Sequence, residues 1–393
     1  MSQPTKTLLL AVTGATPQVI TETLYGIYKQ GLEWPQKIEI LTTSFGKEQA
    51  RLNLITDGKL QALCDEYNLE LPEFSESLIH VIPDAAGNEV ADARTLEDQE
   101  ALADFIVKTI ANRSLDNDVR IHASIAGGRK TMTFFLGYAM SIFGRDFDRL
   151  SHVLVSEQFE SNPQFYYPTL QSKTIDGRDN IRLDCSKAEV MLAEIPLISQ
   201  RMLNPKLVAE FEQFSYNEIV NAIQLAQRPE HVQLTLNFDK ANPQVTFGHK
   251  TIEFGNRKAD FALLAAFARA KKHNEPGFYR QTYRNETADF TLAILQELCT
   301  LEGIRFDSEN LIDALEELEF QGSLDGKTVD ALKRVSDHRF DENNFSDRRT
   351  SLQKYLSKHL PKAAVNLLVP QTKGQNNPYQ LPIMADMITF VGA

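Results

Sequence analysis

Residues 7–18 of the chain read TLLLAVTGATPQ, an apolar run that ends in a glycine-bearing turn. The run at 8–12 is typical of a strand covered on both faces, because it lacks the alternation of a half-exposed strand. Gly14 allows the chain to turn tightly, Thr16 can cap a following helix, and Pro17 suits the first helical position. A buried strand that leads through a tight turn into a helix predicts an α/β fold.

The same alternation of strand and helix continues to about residue 180. Buried strands are predicted at residues 7–12, 37–42, 78–82, 119–125 and 150–155. Helical patterns lie between them, at residues 17–30, 47–67, 95–111 and 129–143. Repeated strand–helix units with right-handed crossovers predict a parallel, Rossmann-like domain over residues 1–180.

Residues 181–393 follow a different pattern, which predicts a mostly helical, winged-helix-like domain with an insertion near 275–344. Helices are predicted at residues 207–225, 258–271 and 346–359, with further helical segments over 287–334. A β-hairpin is predicted from residues 232–238 and 245–254, and a polar loop at 337–344. Three short strands, at 364–369, 379–383 and 387–390, are expected to form a closing wing.

Composition and charge exclude several classes of protein. The formal net charge is −12, and the three cysteines, Cys64, Cys185 and Cys299, lie far apart in the sequence. An acidic chain is a poor candidate for coating nucleic acid, so an anionic ligand needs a local basic or N–H-lined site. The cysteine spacing predicts neither a disulfide framework nor a zinc site. Because there is no signal peptide and no apolar run of roughly 18 residues, we expect a soluble, cytoplasmic protein that does not bind membranes.

The turn after the first strand carries candidate ligand-binding residues. Thr13 and Thr16 offer hydroxyl groups, and Gln18 can reach a base or a ribose. Gly14 and Ala15 present backbone N–H groups near the start of a helix, where the positive end of the helix dipole favours an anion. The turn therefore predicts a site for a phosphate-bearing ligand.

The turn after the fourth strand reads SIAGGRKTM over residues 124–132. Its glycines allow a ligand to approach the backbone, and the next helix begins with two cations and a hydroxyl group. The motif is neither a Walker motif nor a dinucleotide-binding GxGxxG motif. Ligands of α/β sheets bind at the carboxyl ends of strands, so the two turns together favour a nucleotide site over two structural turns. The candidate contacts here are Ser124, Gly127, Gly128, Arg129, Lys130 and Thr131.

Three other polar residues near strands have two interpretations each. Ser44, at the end of the second strand, suits a nucleotide contact or a plain turn. Arg94, in the polar loop after the third strand, can close over a phosphate or pair with Asp92. His122 lies inside an apolar strand, which favours a core histidine over a general base.

An aromatic stretch, FESNPQFYYP, occupies residues 159–168. We predict a packed loop that covers the edge of the sheet. The alternative is a lid or a surface on which an adenine stacks, because Tyr166 and Tyr167 offer flat faces.

The two turns resemble those of a known family. Residues 13–18, TGATPQ, and 126–132, AGGRKTM, are similar to the CARF domains of type III CRISPR accessory proteins. Residues 150–155, LSHVLV, and the stretch at 159–168 are similar to one subfamily of CRISPR ring nucleases. The resemblance covers residues 5–170 well and the rest of the chain more weakly.

This resemblance implies a ligand, a homodimer and a reaction. CARF domains bind cyclic oligoadenylates as two-fold dimers, so each chain would hold half of a ring. A ring nuclease cleaves the ring, here with cyclic tetra-adenylate expected, to linear di-adenylate and switches the CRISPR signal off. A ribose 2′-hydroxyl attacks the neighbouring phosphorus, so no metal and no cofactor is expected. Lys130 would stabilise the developing charge, with Arg129 as second cation and Thr13 or Thr16 orienting the hydroxyl or holding a phosphate oxygen.

Two other functions remain open at this point. One is a ring-gated transcription regulator, whose winged helix would meet DNA phosphates. A solvated helix face is the alternative for this basic patch, and DNA binding is not favoured. The patch consists of Arg348, Arg349, Lys354, Lys358, Lys362 and Lys373.

The other open function is a ligand-activated nuclease of unrecognised type. Many relatives carry a HEPN ribonuclease, which needs an arginine and a histidine on a helix with four to six residues between them. Arg145 and His152 alone have this spacing, and they run into the fifth predicted strand. A HEPN nuclease is therefore not expected.

Overall fold

The computed structural model describes residues 4–84, 86–90, 93–178, 181–279, 289–334, 340, 343–374 and 377–393. The chain divides into two compact units, Met1–Asn217 and Glu218–Ala393. The first unit runs past the boundary expected at residue 180, because Val190–Glu194 adds a further strand to its sheet. None of the described helices is long and apolar enough to cross a membrane.

A six-stranded sheet and a small hairpin form the β structure of the first unit. The strands are β1 (Lys6–Val12), β2 (Lys37–Thr42), β3 (Ile79–Val81), β4 (Val119–Ser124), β5 (Arg149–Val155), β6 (Thr174–Asp176), β7 (Arg182–Asp184) and β8 (Val190–Glu194). The order across the large sheet is β3-β2-β1-β4-β5-β8. All neighbours are parallel except β8, which runs antiparallel to β5. The predicted α/β class with a Rossmann-like sheet is confirmed.

The helices of this unit follow the predicted order with two differences. They are α1 (Gln18–Lys29), α2 (Ser44–Ala50), α3 (Lys59–Tyr67), α4 (Leu96–Arg113), α5 (Lys130–Phe143), α6 (Gln200–Leu203) and α7 (Pro205–Gln213). The predicted helix at 47–67 is instead α2, a π-helical stretch (Arg51–Thr56) and α3, separated by Gly58 at φ +65°. The predicted helix at 207–225 breaks at Phe214, whose backbone is extended.

The second unit combines a four-stranded sheet with a group of helices. Its strands are β9 (Leu234–Asn237), β10 (Gln244–Phe247), β11 (Lys250–Glu253) and β12 (Ile388–Val391), in the order β11-β10-β9-β12. Its helices are α8 (Tyr216–Gln227), which begins just before the unit, α9 (Lys258–Lys272), α10 (Asp289–Glu302), α11 (Ile312–Phe320), α12 (Gly326–Arg334), α13 (Asn344–Leu356) and α14 (Lys362–Leu368). Strand β12 pairs parallel with β9, so the end of the chain completes the sheet.

The structure corrects three predictions for this unit. The run at 245–254 is two strands, because Gly248 at φ +59° turns the chain between β10 and β11. The predicted strand at 364–369 is helix α14, and the predicted helix at 346–359 begins earlier, after Asn343. Of the expected wing strands only β12 forms a strand, while Tyr379 and Gln380 make isolated bridges. Most of the loop predicted at 337–344 lies outside the described residues.

Glu39 anchors a cluster of charges on β2. Its carboxylate, 2% exposed, lies 2.9 Å from Arg113 Nη2 and 3.3 Å from His80 Nε2. Burial alone would raise the pKa, but the nearby His80 and the hydrogen bond from Arg113 outweigh burial and lower the pKa from 4.5 to about 2. The folded state therefore favours the ionised carboxylate.

We expect this cluster to make the first unit sensitive to acid. A carboxyl with a lowered pKa stabilises the fold above its unfolded value of 4.5, and this contribution is lost as the pH falls toward 2. The loss is roughly 2–3 kcal/mol. Urea unfolding between pH 7 and 2 should show it in the wild type and not in Glu39→Gln. The control Glu73→Gln alters an exposed carboxylate near Lys37 and should keep the wild-type pH dependence.

Arg145 ties together the amino-terminal ends of β4 and β5. Its side chain is 6% exposed and donates to both carboxylate oxygens of Asp148, which is itself 0% exposed. It also donates to the carbonyl oxygens of Ser114, at 3.2 Å, and Val119, at 2.7 Å. These bonds give Arg145 a structural role in the first unit.

Candidate functional site

Three turns meet at the carboxyl ends of β1, β2 and β4, which are adjacent strands. Gly14 follows β1, Gly46 lies in the first turn of α2 after β2, and Gly128 follows β4. A Cβ atom on Gly14 would lie 3.6 Å from the Cα of Gly128. A Cβ atom on Gly46 would lie 2.9 Å from the carbonyl oxygen of Gly14. The backbones of these turns therefore approach one another closely, and the Thr42 hydroxyl links the end of β2 to the first turn.

Both positions of the second predicted turn need glycine, Gly127 because of packing and Gly128 because of its backbone conformation. A Cβ on Gly127 would lie 2.9 Å from Cγ2 of Val19 and 3.1 Å from the carbonyl oxygen of Val12. Gly128 has φ +87°, a conformation that side-chain-bearing residues avoid. A side chain at Gly127 would push the turns apart, and one at Gly128 would strain the backbone.

The start of α5 brings positive charge to this edge of the sheet. Arg129 is the N-cap residue, and Lys130 and Thr131 are the first two residues of the helix. All three are exposed. The N–H groups of a first helical turn lack acceptors within the helix and form the positive end of its dipole. This combination favours a phosphate group.

The first predicted turn presents some of its candidates to solvent and buries one. Ala15 and Thr16 are exposed, and Gly14 is half-buried. Thr13 is fully buried, and its Oγ1 donates to the carbonyl oxygen of Thr16 at 3.1 Å. The carbonyl oxygen of Thr13 accepts from Oγ1 of Thr42 at 2.7 Å. Thr13 thus braces the turn and does not face a ligand, while the Thr16 hydroxyl lies where a ligand can reach it.

The prediction of a ligand contact for Ser124 is also wrong, because the side chain is buried. It is 1% exposed, and its Oγ lies 3.1 Å from Oγ1 of Thr23 on α1, so it links strand and helix inside the unit. The prediction for His122 is confirmed, since it is buried with its Nε2 2.8 Å from Oγ of Ser151. Burial, with a smaller effect of Arg149, lowers the pKa of His122 to about 4. His122 is therefore a neutral core residue near pH 7.

Ser44 and Arg94 lie near the three turns, and backbone hydrogen bonds hold both of them in place. Ser44 is half-buried, and its backbone N–H donates to the carbonyl oxygen of Val90 at 2.9 Å. Arg94 is exposed, and its backbone N–H donates to Oδ2 of Asp98 at 3.0 Å. Asp92, the alternative partner of Arg94, lies outside the described residues.

The aromatic segment after β5 packs onto the unit, as predicted. Tyr166 and Tyr167 are each 7% exposed, and the Tyr166 hydroxyl donates to Oδ1 of Asn53 at 2.5 Å. Gln18 is half-buried, and its Nε2 donates to the carbonyl oxygen of Pro163 at 3.2 Å. These contacts leave neither tyrosine ring open for stacking on an adenine, and they commit the amide nitrogen of Gln18 to the segment.

Phe45 is a candidate that the sequence interpretation missed. It is the second residue of α2 and is 57% exposed, between Ser44 and the Gly46 that meets the first turn. An exposed aromatic face beside these turns is suited to stacking on a base. The signal in the sequence is an aromatic residue three positions after the end of β2, next to a glycine.

A buried acid lies one turn into α1. Glu22 is 8% exposed. Burial, and then the charge of Glu160, raises the pKa of Glu22 to about 7. Near pH 7 this carboxyl is only partly ionised, so α1 adds little negative charge that would repel an anion.

Among the described residues no group of three or more His, Cys, Asp or Glu is arranged to hold a metal ion.

Two arginines of the basic patch predicted on the last long helix make contacts within the second unit. Arg348 donates to Oδ1 of Asn344 at 2.7 Å and covers the ring of Phe340. Arg349 donates to the carbonyl oxygen of Pro370 at 2.8 Å. Four lysines of the patch remain exposed: Lys354, Lys358, Lys362 and Lys373.

Comparison with known protein families identifies the chain. Residues 16–229 match the family model of CRISPR-associated protein NE0113, which is more than half of the chain. The chain belongs to the NE0113 family. It is a CRISPR-associated protein. A search of the curated proteins gave no match.

The NE0113 match covers most of the candidate site. It includes the turn with Lys130 and the exposed Phe45, and it begins at Thr16, within the first turn. It ends shortly after α8, so the CRISPR association rests mainly on the first unit.

Proposed function

We propose that this NE0113-family protein is a ring nuclease that binds a cyclic oligoadenylate and cleaves it to linear di-adenylate. Cyclic tetra-adenylate is the expected substrate, and its removal ends type III CRISPR signalling. One observation carries the proposal: three turns meet backbone to backbone beside the exposed cations at the start of α5. Such an edge suits a polyanionic sugar-phosphate. The family's CRISPR association supports a ligand from that system.

The proposed reaction is an internal transesterification at each cleaved phosphate. The ribose 2′-hydroxyl gives its proton to solvent water as its oxygen bonds to the adjacent phosphorus, and the bond from phosphorus to the next 5′-oxygen breaks. The products carry a 2′,3′-cyclic phosphate and a 5′-hydroxyl. Two such cuts turn a ring of four nucleotides into two linear di-adenylates. None of these steps needs a metal or an external nucleophile.

We assign the main catalytic role to Lys130. Its ammonium stabilises the charge on the phosphorane and supplies the proton for the leaving 5′-oxygen, with Arg129 as the second cation. Exposed Thr16 takes over the role first given to Thr13, orienting the 2′-hydroxyl or a phosphate oxygen. Backbone N–H groups of the glycine turns hold the phosphates.

We also propose that two chains share one ring. A ring of four identical nucleotides has a two-fold axis, and a two-fold dimer can place one candidate site on each half of the ring. Each chain would then cut one phosphodiester bond, and the two cuts together would release two di-adenylates.

The direct test incubates purified protein with cyclic tetra-adenylate in buffer that contains a chelator. Chromatography with mass spectrometry should show linear di-adenylate with a 2′,3′-cyclic phosphate. An intact ring after prolonged incubation, with a folded protein, rejects the nuclease. Cyclic hexa-adenylate in parallel reports the preferred ring size.

Base stacking on Phe45 is a separate expectation of this proposal. Replacing Phe45 with alanine should raise the Kd for cyclic tetra-adenylate about tenfold or more, because stacking contributes about 1–3 kcal/mol per base. Leu115→Ala is the matched control, since Leu115 is 56% exposed but follows α4 at the opposite edge of the sheet. Fluorescence anisotropy with a labelled ring measures both. Equal affinities of Phe45→Ala and wild type remove Phe45 from the site.

A further inference from the structure

A surface groove in the second unit has no role in the proposed function. It has a volume of about 760 Å³ and lies between α8, the turn that joins β10 to β11, and the residues just before α14. Its floor is apolar, with Phe247 and Leu360 each 4% exposed and Leu225 half-buried. The groove is therefore large enough, and apolar enough, to receive side chains of a partner.

Basic side chains surround this floor. Arg228, His231 and His249 are exposed at the rim. Lys250 lies at the rim as well, with its Nζ 2.7 Å from Oε1 of Glu218. Arg228 and Lys250 are the cations of this rim, and in a chain of net charge −12 they make it locally basic.

Positive charges near the groove also affect the pKa of a neighbouring histidine. His359 precedes the floor residue Leu360. Burial, and then the charges of Lys250 and Lys358, lowers the pKa of His359. Lys250 at the rim and Lys358 beside His359 place positive charge next to an apolar floor, which favours an occupant that combines carboxylates with apolar side chains.

Helix α11 carries the complementary pattern on its exposed face, which we call the acidic stripe. The stripe consists of Ile312, Asp313, Glu316, Glu317, Glu319 and Phe320. Phe320 is 83% exposed and Ile312 is 46% exposed, which leaves two large apolar side chains in water among four carboxylates. Lys333 pairs with Glu316 at 2.8 Å, so the stripe keeps a negative excess. None of the residues that line the groove belongs to α11.

We propose that the groove binds the acidic stripe of a second copy of this chain. Residues 312, 316 and 320 lie four apart and share one helix face, so Ile312 and Phe320 enter the apolar floor together. The carboxylates between and beside them then face Arg228 and the rim histidines. Charge and apolar pattern match on the two surfaces, which is why a second copy is the favoured occupant.

The contact is head-to-tail, because groove and stripe are different surfaces. A pair joined by one contact keeps one unused stripe on one copy and one unused groove on the other, so association continues beyond two copies unless it closes into a ring. A nine-residue helix is only about 13 Å long, and its contact is smaller than the roughly 1,000 Å² of a stable interface. The association is therefore weak and is screened by salt.

Sedimentation equilibrium of the full chain, without nucleotide, tests this proposal. The average mass of the wild type should grow with protein concentration at low salt and return to its starting value at high salt. Phe320→Glu in the stripe and Arg228→Glu in the groove should each weaken this growth at least about tenfold. Lys327→Glu is the control, an exposed lysine on α12 outside both surfaces, and it should behave as the wild type.

A mixture of the two variants tests whether the groove of one copy binds the stripe of another. Phe320→Glu keeps an intact groove and Arg228→Glu keeps an intact stripe, so an equimolar mixture should recover groove–stripe contacts that neither variant forms alone. A wild-type mass that does not change with concentration overturns the proposal, as does either variant with wild-type growth. Binding of a short oligoribonucleotide at the groove, abolished by Arg228→Glu and without any self-association, would assign the groove to a polyanion instead.

Discussion

Replacing Lys130 with alanine should slow cleavage of cyclic tetra-adenylate at least about tenfold, which corresponds to about 1.4 kcal/mol of barrier. Lys130 is the first residue of α5 and is exposed beside the converging glycine turns. Its loss removes a cation from the phosphorane and a proton donor from the leaving oxygen. Single-turnover cleavage with excess protein isolates this step from product release.

Two further variants decide whether the charge at this position matters. Lys130→Arg keeps a cation and should retain part of the rate, although the guanidinium cannot donate a proton easily. Lys108→Ala removes an exposed lysine from α4, twelve residues beyond the start of that helix, and should leave the rate unchanged. Full activity of Lys130→Ala would remove Lys130 from the reaction and leave Arg129 as the cation to test.

Replacing Arg145 with alanine should have the largest effect on stability, a loss of about 3–5 kcal/mol. The substitution leaves the fully buried carboxylate of Asp148 without its counter-charge. It also removes the donors to the carbonyl oxygens of Ser114 and Val119, which hold the chain before β4. Urea unfolding followed by circular dichroism should show a much lower midpoint.

An exposed arginine provides the control for that measurement. Arg182 is 73% exposed and lies 3.5 Å from Asp176, so Arg182→Ala should cost less than about 1 kcal/mol. Similar midpoints for Arg145→Ala and Arg182→Ala would show that the buried network contributes no more than a surface pair. This measurement does not test the proposed reaction, because Arg145 follows the carboxyl end of α5 and Lys130 begins that helix.

The parallel sheet could be predicted because its central strands are continuous apolar runs. Leu9, Leu10 and Ile121 are fully buried, as expected when helices cover both faces. Residues 364–369 were harder, because a short apolar run fits a strand or a buried helix equally well. The structure makes that run part of α14, and the single strand β12 completes the sheet by pairing with β9, a contact between distant parts of the chain.

The two turns of the candidate site could also be predicted, but the accessibility of their residues could not. Thr13 and Ser124 are buried by Thr42 of β2 and Thr23 of α1, and the sequence does not state which strand or helix lies beside them. Phe45 was missed for the converse reason. An aromatic residue after a strand usually enters the core, whereas this one is more than half exposed.

The central claim is that the turns around Gly14, Gly46 and Gly128 form a cradle for a cyclic oligoadenylate. Calorimetric titration of the purified, folded wild type with cyclic tetra-adenylate, in buffer with a chelator, tests it most directly. We predict saturable binding at one ring per two chains. The absence of any saturable binding, of this ring or of cyclic hexa-adenylate, would contradict the account.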